Sequence, residues 1–85
     1  MPEFLVELYV SRTDAGAVRR RTERARLAAE DLTREGTPTR YLHAIYVPED
    51  ETCFLLYEAP SADAVRAAVR GASLTFEHVA EAVEG

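Results

Sequence analysis

The chain has no tryptophan, a single cysteine, only two histidines and no apolar run long enough to cross a bilayer. Each shortage removes a class of function. Cys53 alone can form neither an internal disulfide nor a thiolate metal clip, and with no base partner identifiable in the sequence it reads as a small apolar filler rather than a nucleophile. Gly-x-Ser-x-Gly elbows and glycine-rich phosphate loops are missing too, which argues against acyl transfer and nucleotide binding. There is no excess of basic charge: the net charge of −5 repels nucleic acid and anionic lipid. Met1-Pro2-Glu3 leads straight into an apolar run without a basic signal region or lipidation motif, so the cytoplasm is the expected location.

What the chain does have is the composition of a folded domain. Apolar residues at 47% and charged residues at 29% exclude disorder. The 85 residues fit one domain spanning 1–85. A chain of this size buries about 60–65% of its unfolded surface, a modest core that a partner subunit or bound ion would reinforce.

Apolar runs and turn residues divide the chain into six elements. Phe4 to Val10, Thr39 to Val47, Thr52 to Ala59 and Leu74 to Glu84 read as strands. Ser11-Arg12-Thr13-Asp14 offers caps for a helix running to about Glu35, with Val18, Ala25, Ala28 and Leu32 on one stripe, Gly36 as its stop and Pro38 beyond. Pro48-Glu49-Asp50-Glu51 reads as a solvated hairpin turn. Ser61 caps a second helix with Val65, Ala68, Val69 and Ala72 on its apolar stripe, ending near Gly71. The order β-α-β-β-α-β predicts a ferredoxin-like α+β sandwich, a four-stranded antiparallel sheet with two helices on one face.

The acids inside the strands locate a functional face. Side chains alternate across a strand, so Glu7 shares a face with Leu5 and Tyr9, opposite Phe4, Val6, Leu8 and Val10. A carboxylate under packed helices is costly, which puts Glu7 on the bare face. Glu58 goes there with Phe54 and Leu56, leaving Cys53, Leu55 and Tyr57 inward. In the last strand the same cost predicts Glu77, Val79, Glu81 and Val83 outward and His78 inward. The second strand stays open between Tyr41, His43, Ile45, Val47 and Leu42, Ala44, Tyr46, and a β-bulge would reverse the choice midway. Such a face exposes too much apolar surface for a monomer, and homodimerisation through it is expected.

Glu7, Glu58, Glu81 and His43 converging there would make an oxygen and nitrogen site suited to Ni, Co, Mn or Zn rather than Cu(I), with Glu77-His78 a secondary candidate at the sheet edge. The competing reading is that these acids solvate the face or pair with Arg40 across the dimer. The arginines at 19, 20, 21, 24 and 26 read as a solvated helix face, with Arg19 meeting Glu23 and Arg26 meeting Glu30.

Pro2-Glu3-Phe4-Leu5-Val6-Glu7, the segment Leu56-Tyr57-Glu58-Ala59-Pro60-Ser61-Ala62-Asp63-Ala64-Val65-Arg66 and Phe76-Glu77-His78-Val79-Ala80-Glu81-Ala82-Val83 resemble the small ferredoxin-like nickel-binding protein family. The resemblance covers nearly the whole chain and is most specific at Tyr-Glu-Ala-Pro. It implies a homodimer that binds Ni(II) for storage, buffering or response rather than catalysis, with Glu7, Glu58 and Glu81 at acidic positions and His43 at a polar one. Where many members place a cysteine, two residues before that tyrosine, this chain has Leu55. Alternative readings are a small dimeric α/β-barrel enzyme using His43 and Tyr9 in proton transfer, and a purely structural dimerisation module.

Overall fold

The computed structural model describes residues 1–84. Its elements run β1 (Glu3–Tyr9), α1 (Ala17–Arg34), β2 (Arg40–Val47), a single 3₁₀ turn (Pro48–Asp50), β3 (Thr52–Glu58), α2 (Ala62–Gly71) and β4 (His78–Ala82). The strands form one antiparallel sheet in the order β2-β3-β1-β4, with α1 against β2 and α2 against β4. This is the ferredoxin-like α+β arrangement expected from the element order.

The helix boundaries follow local chemistry. Both helices end in a Schellman motif. After α1 the amide of Thr37 donates to Leu32 O and that of Gly36 to Thr33 O, with Gly36 at φ 110°. After α2, Leu74 N–H reaches Val69 O and Ser73 N–H reaches Arg70 O, so Ser73 takes the left-handed position at φ 59° without being glycine. Ser61 caps α2 by accepting from the Ala64 amide at 3.2 Å. The start of α1 differs from expectation: Gly16 is its N-cap, and Asp14 is drawn instead into a bidentate contact with Arg20. That guanidinium holds the Asp14 carboxyl below the ordinary carboxylate range.

The core lies between the sheet and the helices. Phe4, Val6, Leu8 and Val10 meet Cys53, Leu55 and Tyr57 from β3 and Val65, Ala68 and Val69 from α2, all buried. The alternation predicted for β1 and β3 holds at every position. In β2 a bulge at Leu42, between Tyr41 and His43, puts Arg40, His43, Ile45 and Val47 on the bare face and Tyr41, Ala44 and Tyr46 toward the helices. Burial of the thiol pushes the Cys53 pKa up.

β4 corrects the prediction in length and in facing. Only His78–Ala82 pairs, while Leu74 is buried and Phe76 half-buried in the connection left by the Ser73 turn. The register Phe4↔Glu81, Val6↔Val79 and Glu7↔His78 places Val79 and Glu81 on the helix side and His78 on the bare face. The physical reason is the edge position. Val79 packs into the core, whereas Glu81 faces the helix side yet stays exposed to water, so the cost that expelled Glu7 does not apply to it.

Candidate functional site

The registers arrange the bare face as rows across the sheet. From β2 through β3 and β1 to β4 they read Arg40, Glu58, Glu3, Ala82; then His43, Leu56, Leu5, Ala80; then Ile45, Phe54, Glu7, His78; and finally Val47, Thr52, Tyr9. In the two middle rows Leu56, Leu5 and Ala80, and Ile45 and Phe54, are apolar. Ile45 is 55% exposed and Tyr9 57%, far above what the helix-facing residues of the same strands show.

Polar groups share the face with these apolar residues. Glu7 and His78 are direct cross-strand partners, with the histidine Nδ1 3.9 Å from the Glu7 carboxylate. That exceeds a hydrogen bond. Two donors each about 2.0–2.2 Å from a shared divalent ion stand at most about 4.4 Å apart, so this pair fits as two ligands of one ion. Glu7 is half-buried and His78 open to solvent, which leaves the pair accessible.

The other predicted ligands are not gathered with them. Glu58 lies at the opposite end of the face, paired with Arg40 at 3.6 Å within the same chain. It is opposite Glu3, four residues along β1 from Glu7, and so roughly 13 Å from it. His43 lies on the right face but on β2, three strand spacings from His78, or roughly 14 Å. Glu81 is on the other face altogether. Among the described residues no three His, Cys, Asp or Glu side chains of one chain could hold a metal ion together. Of the expected donors, only Glu7 and His78 are brought together.

Two contacts were not legible in the sequence. Glu51, expected to be solvated, adopts φ 49°, and its carboxylate accepts from the Arg12 amide at 3.0 Å and the Tyr9 hydroxyl at 3.4 Å. It brackets the end of β1 to the hairpin, and the Tyr9 hydroxyl is committed there rather than toward His43. Glu23 joins Arg26 at 2.5 Å rather than Arg19, and Glu30 completes the triad at 2.7 Å.

No family model matches the chain, and no curated protein matches it. A solved structure does: the crystal structure of SCO4226 from Streptomyces coelicolor A3(2) superposes with a TM-score of 0.80 over 98% of both chains, at 17% sequence identity. At that identity the likeness establishes the fold. No helix among the described residues is long and apolar enough to cross a membrane.

Proposed function

We propose that the protein is a homodimer joined through the bare sheet face and that it binds a divalent metal, nickel, at the Glu7 and His78 pair of each copy. The observation that carries this is the placing of a carboxylate and an imidazole 3.9 Å apart on an uncovered sheet face, beside Leu5, Leu56, Phe54 and Ile45. An exposed apolar field calls for a partner, and a half-set of ligands calls for completion. A second copy answers both.

Face-to-face packing about an axis parallel to the strands lays β4 of one copy over β2 of the other. The partner's His43 then lies one row from His78, and two nitrogens and one oxygen are available to a single ion. This donor set suits Ni, Co, Mn or Zn, and among them the resemblance to the nickel-binding family points to nickel. Cys53 takes no part, because it faces the core and burial keeps its thiol protonated. Binding of the ion as cargo fits storage, buffering or response.

Titration calorimetry with Ni(II), on protein purified without an affinity tag, tests the reading. Glu7→Gln preserves shape and removes the charge. It should weaken binding roughly tenfold or more while leaving the apo protein as stable or slightly more so. Unchanged affinity removes Glu7 from the site.

A further inference from the structure

The pairing of β1 with β4 stops short and leaves a notch. Glu7 O accepts from the Glu77 amide at 2.8 Å, and the ladder goes no further toward Tyr9 because the chain before Glu77 turns inward to bury Leu74. Backbone groups two residues apart on a strand point to the same neighbour, so the Tyr9 carbonyl faces the place a longer β4 would fill. Arg21 of α1 takes that carbonyl instead, donating from Nη1 at 2.6 Å. Around this contact lies a cavity of about 430 Å³, walled by α1 on one side and by the turn at residues 73–75 on the other. Small-molecule sites fall within about 300–1,000 Å³.

The charge in the notch runs against that of the chain, which carries −5. Arg21 and Arg24 lie three residues apart on one face of α1, and both line the cavity. Neither is paired with a carboxylate among the described residues: Asp14 is taken by Arg20, and Glu23 and Glu30 by Arg26. Arg21 is half-buried and held in place by the Tyr9 carbonyl, a contact that uses one of its five N–H donors and leaves the others for a ligand. On the opposite wall Ser73 stands at φ 59°, a position that favours glycine, and with Thr75 it brings two hydroxyls to the cavity. Donors on two walls suit a phosphoryl group, whose oxygens point in several directions, better than a planar carboxylate. Glu77 is the one carboxylate in the lining and forms no ion pair with either guanidinium. It can accept from ligand hydroxyls and repels a second anionic group.

From this juxtaposition we infer that the notch between α1 and the 73–75 turn binds a sugar monophosphate, its phosphoryl group on Arg21 and Arg24 and its hydroxyls on Glu77. The cavity is larger than a phosphate ion needs, and a neutral sugar would leave both arginines unused. The site shares no residue with the Glu7 and His78 pair and stands without nickel.

The probe is glucose 6-phosphate, titrated into ¹⁵N-labelled protein without metal, with glucose and inorganic phosphate as its two halves. Saturable shifts should centre on the amides of Ser73 and Thr75, with the sugar phosphate bound roughly tenfold more tightly than either half. Arg24→Gln, an exposed change that leaves the core untouched, should weaken it roughly tenfold. Glu77→Gln should narrow the gap between the sugar phosphate and inorganic phosphate, since it removes both the acceptor for hydroxyls and the repulsion of anions. Equal affinity for the sugar phosphate and either half, an unchanged affinity in Arg24→Gln, an unchanged gap in Glu77→Gln, shifts centred on the bare face around Phe54 and Leu56, or no saturation at millimolar glucose 6-phosphate would each overturn the assignment.

Discussion

The two faces of this sheet are made by the same strands and obey different rules. On the helix side Leu55 and Val6 are sealed from water, whereas one residue along on the bare side Leu56 and Glu7 are only half-buried. The first face is closed by the chain's own helices; the second is left uncovered by them. Stability is therefore expected to reside in one face and function in the other.

The sharpest way to break this contrast is a pair of neighbouring leucines. Leu55→Ala leaves a cavity under the helices and should cost about 2–5 kcal/mol at any protein concentration. Leu56→Ala removes the same atoms from the bare face. Its loss should grow or shrink with protein concentration, because it acts through association of two copies. Urea unfolding at two concentrations separates the cases, and concentration-independent losses for both would contradict the division.

A smaller effect probes a flaw of the closed face. The Tyr57 hydroxyl is buried without a partner, and burial holds its pKa far above that of a free phenol. Tyr57→Phe should leave stability unchanged or raise it by about 1 kcal/mol, since an unsatisfied polar group is removed and the ring is kept. A substantial loss in thermal or urea unfolding would show that the hydroxyl is satisfied.

The smallest expected effect is a pH dependence from Cys53. Its folded pKa lies above the ordinary 9.0, so its contribution is complete below pH 9 and is lost as pH rises from there toward the folded value. Tyr41, Tyr46 and Tyr57, whose pKa values are also raised, add to the decline from about pH 9 upward, and Cys53→Ser should flatten it without abolishing it. An identical slope in the variant would mean the thiol is not desolvated.

The central strands were legible in the sequence because each has a neighbour on both sides, which leaves an interior acid a single affordable face. That logic placed Glu7, Glu58 and Cys53 correctly. It failed at Glu81, since an edge strand lets a carboxylate face the helix side and still reach water. Placing Glu81 outward forced His78 inward, and the contact between His78 and Glu7 was missed for the same reason. In β2 the alternation alone could not choose a face; the bulge at Leu42, which lets both Arg40 and His43 face outward, is set by pairing with β3 rather than by any local residue.

The central claim is that each metal site is shared between two copies, Glu7 and His78 from one and His43 from the other. Trans-complementation tests it most directly. His43→Ala and His78→Ala homodimers should each bind Ni(II) poorly in calorimetry. After the two variants are unfolded, mixed and refolded together, mixed dimers should regain one intact site and with it the affinity of the unmodified protein at a fraction of its stoichiometry. Binding by the mixture no better than by either variant alone would contradict a shared site.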